Sequence, residues 1–262
     1  MPNHPTYQML RALKLDGMAD VYAELLAHDA SRAQDPSEWI SLMASREKSI
    51  RDTRRLQSRL RAAKLRDESA TMDTVDFQVQ RNLDRAQFEK LRDGEWIRSR
   101  KSILITGPCG VGKSYLACAL GFEACRQDHP VLYYRMPQLF ADLAAAREAG
   151  NFDRLFRKVV RADVLIIDDW GPDVLSPTER RDLMELVDER YRRKSTIITS
   201  QLPVAKWYDT IADPTFADAI LDRLVHQAQR FELEGHSLRK TMHEEPHETR
   251  KPGFAQVFSR RT

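Results

Sequence analysis

The chain has 262 residues, 42% of them hydrophobic and 8% aromatic, which suits one large α/β domain with a smaller companion and excludes several full domains. Lysine and arginine (42) nearly balance aspartate and glutamate (39), so the net charge of +3 names no partner, and only the distribution of charge is informative. No apolar run reaches the roughly 18 residues of a membrane span, and the first 30 residues lack a signal-peptide core, so a cytoplasmic chain without a membrane partner is expected.

In chain order, the first 70 residues read as a small all-helical, basic domain (1–70). Met18, Val21, Tyr22 and Leu25 recur at helical spacing and form one apolar stripe. Asp35-Pro36-Ser37-Glu38 starts a second helix: Asp35 caps it, Pro36 suits the first turn, and Glu38 completes a capping box. This helix carries Trp39, Leu42 and Met43 and runs into a block, Arg46 to Arg66, with nine basic residues against two acids. Leu56, Leu60 and Ala63 keep an apolar edge there while arginines cover the rest. Asp67 to Asp76 is polar and aperiodic, a joint between domains.

Beyond it, apolar β-rich runs alternate with helical segments through a second domain, 71–240. Strands are predicted at Ser102–Thr106, Val131–Tyr134, Val164–Ile167 and Thr196–Thr199, and helices near 113–127, 137–149, 152–161 and 177–193. Ser176-Pro177-Thr178-Glu179 is another capping box. Such alternation predicts an α/β fold with a parallel sheet between helices. Residues 241–262 read as a polar tail. Its string His243-Glu244-Glu245-Pro246-His247 fits H-E-x-x-H, but Pro246 would break the helix a zinc protease needs, so the match is chance. Cys109, Cys118 and Cys125 read as reduced, packed thiols, without a metal-site pattern.

Gly107-Pro108-Cys109-Gly110-Val111-Gly112-Lys113-Ser114 fits G-x-x-x-x-G-K-[ST] in full, between a strand and a helix. Its glycines let backbone N–H groups turn around phosphates, and the helix N-terminus adds a positive dipole end. ATP is therefore the expected ligand, held by residues 107–114 with Tyr115 behind them. Lys113 is expected on the β/γ-phosphates and Ser114 on Mg²⁺. About 55 residues on, an apolar strand ends in Asp168-Asp169. Buried strands rarely end in paired acids without a cation or a reaction to serve. Asp168 is expected to hold Mg²⁺ with Ser114, and Asp169 to orient the attacking water. Thr199-Ser200-Gln201 ends another strand, where Gln201 could touch the γ-phosphate or its water. Arg223 lies on an amphipathic helix, either solvated or paired with Asp222.

Together these residues resemble the AAA+ ATPases of the initiator clade, with DnaA and the helicase loader DnaC, and most of all the IstB-like helper ATPases of insertion-sequence transposition. The resemblance spans about Tyr7 to Lys240 and includes Arg81-Asn82-Leu83-Asp84-Arg85, Gly94-Glu95-Trp96, Asp222-Arg223-Leu224 and Gly235-His236-Ser237-Leu238-Arg239. It implies that residues 107–114 are Walker A, Asp168 and Asp169 Walker B, Thr199–Gln201 sensor 1, and Arg223 the arginine finger donated to a neighbouring subunit of a ring or spiral homo-oligomer. Two positions depart from the family pattern: Asp169 stands where Glu is commoner, which implies hydrolysis that is slow or depends on a shifted water, and Gln201 where Asn is usual. Arg239 is given no firm role.

The segment Gln138 to Lys158 resembles the clade's extra helical insertion, which lines the inner face of the assembly. Arg147, Arg154, Arg157 and Lys158 are its candidates for phosphate contacts. Arg51, Arg54, Arg55 and Arg59 of the basic block are the others; that block serves either DNA or an acidic partner surface, and without interleaved aromatics duplex binding is expected over base stacking. The expected activity is an ATPase that oligomerises on double-stranded DNA and helps the transposase of the same element use its target. The alternatives are a DnaC-like helicase loader, an ATP-binding DNA scaffold with little turnover, and a small-molecule kinase, which would leave Arg223 and the basic helices unexplained.

Overall fold

A computed structural model describes residues 4–27, 35–171 and 173–238; Arg239, the 241–262 tail and the His243–His247 string lie outside the described residues. The chain opens with helices α1 (Pro5–Ala12), α2 (Asp16–Ala27) and α3 (Pro36–Ala63). Asp35 caps α3 by accepting from the Ser37 N–H at 2.7 Å. The cap is one-sided, since no reciprocal Glu38 bond occurs among the described residues, and the expected capping box is corrected to a single Asp35 cap. Residues 37–63 contain no glycine or proline, so the basic block continues the same helix for about 42 Å. It ends where Lys64 turns left-handed at φ 53°.

Five parallel strands follow: β1 (Ile103–Thr106), β2 (Val131–Arg135), β3 (Val164–Trp170), β4 (Ser195–Ser200) and β5 (Gln229–Glu232), in the order β2-β3-β4-β1-β5. The four expected strands are present. Sequence reading missed β5 because only Phe231 of its four residues is buried, so no apolar run announces it. The helices are α4 (Arg85–Glu89), α5 (Glu95–Arg98), α6 (Lys113–Arg126), α7 (Met136–Glu148), α8 (Phe152–Arg161), α9 (Pro177–Arg190), α10 (Trp207–Ile211) and α11 (Pro214–Val225). The Ser176–Glu179 capping box on α9 is complete, with bonds of 2.8 and 3.3 Å.

Strand residues alternate between two cores. Ile103, Ile105, Ile166 and Ile197 pack with Leu116 and Leu120 of α6. Leu104, Leu165, Ile167 and Ile198 pack with residues of α7 to α11. Both faces are thus covered, as a parallel sheet requires, and each fully buried Leu or Ile contributes about 1.5–3 kcal/mol. The α6 core also takes in Ala63, Leu65, Ala70, Met72 and Val75. The segment that reads as a polar joint is therefore anchored by small and apolar side chains. In the first half of α3, the Glu47 carboxylate accepts from the Gly17 N–H at 2.8 Å and from Arg51 at 2.7 Å, tying α2 to α3.

Candidate nucleotide-binding site

Between Thr106 of β1 and Lys113 of α6, the chain must reverse within six residues. Gly107, Gly110 and Gly112 adopt φ of 144°, 85° and 96°, where a side chain is strained. Their outer side is also crowded: a Cβ on Gly107 would lie 2.3 Å from the Leu233 carbonyl oxygen, and one on Gly110 2.1 Å from the Ser237 Oγ. The loop is clamped by Leu233 N–H on Thr106 O (2.7 Å), Leu238 N–H on Gly110 O (3.0 Å) and Arg81 on Val111 O (3.3 Å). The stretch behind β5 is thus a brace for the glycine loop, which accounts for the Gly235–Leu238 motif. Pro108 and Cys109 are exposed at the tip, and Cys118 and Cys125 are buried on α6. Burial raises the Cys125 thiol to about 11.

The Lys113 ammonium donates to Gly107 O (2.8 Å) and Pro108 O (2.7 Å), across the mouth of the loop, where a phosphate would compete for it. Tyr115, one turn into α6, donates to Thr74 Oγ1 at 2.6 Å and fixes that turn to the preceding segment.

Asp168 is fully buried. Its Oδ1 accepts from Ser114 Oγ at 2.7 Å and from Thr199 Oγ1. Its Oδ2 accepts from Tyr133 OH at 2.5 Å and Arg66 Nη1 at 3.3 Å. Burial, reinforced by the Asp168 charge, pushes the Tyr133 phenol above its ordinary value. For Arg66, burial works against the charged form, but Tyr133 and Asp168 outweigh it and the guanidinium is held still more firmly as a cation. The adjacent hydroxyl and carboxylate of Ser114 and Asp168 are hard oxygen donors that fit Mg²⁺ completed by phosphate and water.

Asp169 has a different environment. Its backbone is left-handed at φ 60°, its N–H donates to Thr199 Oγ1 at 3.2 Å, and its carboxylate pairs with Arg135 at 3.0 Å. Gln201 is exposed just beyond β4, next to the loop because Gly107 N–H donates to Ser200 O at 3.2 Å. Of residues 199–201, Thr199 is the one on the acid pair. Arg66, Tyr133 and Arg135 are missed by sequence reading. No local signal marks them; β2–β3 pairing, with Arg135 opposite Asp168, and the end of α3 bring them in.

Arg223 pairs with Asp188 of α9 at 2.8 Å, not with Asp222, and donates to Ala219 O at 2.9 Å. It shares a cavity with Ser102 and Thr196, at the N-terminal ends of β1 and β4, whereas the glycine loop leaves the C-terminal end of β1. Among the basic candidates, Arg51 pairs with Glu47 (2.7 Å), Arg54 with Asp16 (2.7 Å), Arg59 with Asp128 (2.6 Å) and Arg157 with Asp153 (3.6 Å). Arg147 pairs with Asp182 at 2.6 Å and lies over the Phe152 ring, while Arg55 is exposed on α3. A groove of about 750 Å³ joins one member of the first set to three of the second: Arg59 from α3 lines it with Arg154, Arg157 and Lys158 from α8, beside Asp153 and Arg161, while Arg51, Arg54, Arg55 and Arg147 lie outside it.

A glycine loop between β1 and α6, paired acids on β3 and the parallel order β2-β3-β4-β1-β5 give this chain a P-loop fold of the AAA+ type. The same fold recurs in the crystal structure of DnaI (TM-score 0.55, 20% identity, 68% of this chain and 93% of that one) and in AMPPCP-bound DnaA from Aquifex aeolicus (TM-score 0.54, 18% identity, 67% and 54%). The chain belongs to the family described as IstB-like ATP binding protein, whose profile matches residues 8–246. It is 51% identical over 237 residues to the putative insertion sequence ATP-binding protein y4pL of Sinorhizobium fredii, covering 90% of this chain and 96% of that protein. It is 30% identical over 236 residues to the insertion sequence IS21 putative ATP-binding protein of Pseudomonas aeruginosa, covering 90% and 89%.

Proposed function

We propose that this protein is an ATP-dependent DNA-binding ATPase that assembles as a homo-oligomer, ring or spiral, on duplex DNA and helps the transposase of the same insertion sequence select and use its target. ATP and Mg²⁺ are held by Gly107 to Tyr115 with Asp168, and the work is done in the cytoplasm. No helix among the described residues is long and apolar enough to cross a membrane. The observation that carries the DNA reading is the groove in which Arg59 meets Arg154, Arg157, Lys158 and Arg161. Four of these cations project from one short helix, a spacing that suits successive phosphates rather than base edges. Support for assembly comes from Arg223, whose cavity lies at the far end of the strands from its own loop, so that it would serve a neighbour's nucleotide on leaving Asp188.

The test is an ATP-dependent mobility shift of duplex DNA with purified protein. Lys113→Ala is expected to lose the ATP-induced shift; a variant that still shifts duplex DNA as well as the wild type does with ATP would refute a nucleotide switch. Arg154→Ala with Lys158→Ala is expected to weaken binding to all sequences alike and to lower the salt slope by about 2, since each phosphate contact contributes about 0.9. An unchanged slope removes the groove from the DNA interface.

The Asp169–Arg135 pair favours a second reading, an ATP-binding DNA scaffold with little turnover, because the carboxylate expected to orient water is already engaged. Phosphate release measured with and without duplex DNA separates the two.

A further inference from the structure

Of all the cations in the basic block, Arg66 alone reaches the acid pair. Helix α3 stops at Ala63, Lys64 takes the left-handed turn, Leu65 plugs into the α6 core, and the Arg66 guanidinium then lies 3.3 Å from Asp168 Oδ2. Asp168 has no solvent exposure, and its four acceptor positions are filled by Ser114, Thr199, Tyr133 and Arg66. Three of these donors are neutral hydroxyls, and Arg66 supplies the countercharge that a buried carboxylate requires.

We infer that Arg66 is a positioning residue that competes with Mg²⁺ for Asp168, so that metal–nucleotide binding and the seating of the α3 end on the ATPase core oppose each other. A divalent ion held by Ser114 and Asp168 would share the carboxylate with that guanidinium, and like charges around one buried carboxylate repel. Tyr133, Thr199 and Ser114 still orient the carboxylate when Arg66 leaves, so its departure relieves repulsion without releasing the ligand. Coupling of this kind is reciprocal: the factor by which Mg²⁺ weakens the Arg66 contact is the factor by which that contact weakens Mg²⁺. Arg59, seven residues earlier on α3, lines the basic groove. The contact therefore gives nucleotide state a route to the groove through one helix end. This inference rests on Ser114 and Asp168 being the metal site.

The experiment is a Mg²⁺ titration of the affinity for a fluorescent ATP analogue, read as binding and not as turnover, in the full-length protein. Arg66→Ala is expected to reach half of its Mg²⁺-induced gain in affinity at one third or less of the Mg²⁺ concentration that the wild type needs. Arg66→Gln, which keeps a hydrogen-bond donor without the charge, should behave the same way and serves if the alanine variant folds poorly. Arg66→Lys should stay within twofold of wild type. Hydrogen exchange at residues 60–68 should rise in the wild type when Mg²⁺–ATP is added and be already fast in Arg66→Ala. An unchanged or increased Mg²⁺ requirement in both neutral variants overturns the competition. Wild-type affinity that ignores Mg²⁺ overturns the metal assignment itself, and the inference with it.

Discussion

Two neighbouring aspartates on one strand end have different surroundings. Asp168 is sealed among four donors, which suits a fixed ligand. Asp169 sits in left-handed backbone, a region that aspartate and asparagine tolerate better than longer side chains do. That conformation offers a physical reason for Asp where Glu is commoner. Asp169→Asn should therefore keep the fold and the nucleotide affinity while phosphate release falls at least tenfold; a full rate would relieve Asp169 of any part in activating water. Asp169→Glu should lower stability by about 1 kcal/mol, visible as a lower melting temperature.

Among the elements, the seam between α2 and α3 is held in part by charge. Burial opposes ionisation of Glu47, yet the Arg51 guanidinium and the Gly17 and Met18 N–H groups hold its carboxyl below the usual glutamate range. Bonds from Arg54 and Arg11 hold the Asp16 carboxyl down likewise. Both folded values lie below the unfolded ones, so this stabilisation is complete above the unfolded value of about 4 and is lost as pH falls through the folded values. Acidification below about pH 4 should thus loosen residues 4–27, read as faster pepsin cleavage there. Glu47→Gln should make that segment susceptible at higher pH, and identical pH profiles would show that the contact contributes nothing. Gly17→Ala places a Cβ 2.8 Å from the Glu47 backbone, and overpacking of this kind costs about 1–3 kcal/mol. The melting temperature is the readout.

For the whole molecule, the proposed assembly makes a prediction that no single subunit can meet. If Arg223 completes a neighbour's site, Arg223→Ala should lose turnover by a factor on the order of 10³ with its own nucleotide affinity intact. Lys113→Ala should be inactive for the opposite reason, having no nucleotide of its own. Mixed one to one, the two variants should recover about a quarter of wild-type turnover, since one random interface in four pairs an intact arginine with an intact loop. A mixture as inactive as its parts rules out donation in trans.

The phosphate loop, the capped starts of α3 and α9, four strands and the acid pair were all legible in the sequence, because each depends on neighbours within a few residues. Positive φ selects glycine, a cap selects Asp or Ser, and burial on both faces selects an unbroken apolar run. β5 escaped because an edge strand with one buried residue carries no such pattern. The shell around Asp168 escaped for a different reason: Ser114, Tyr133 and Arg66 lie 54, 35 and 102 residues away along the chain. Which of many tyrosines and arginines meets a carboxylate is decided by strand register and by where a long helix ends against the core. Those are properties of packing between distant segments, and only the tertiary structure contains them.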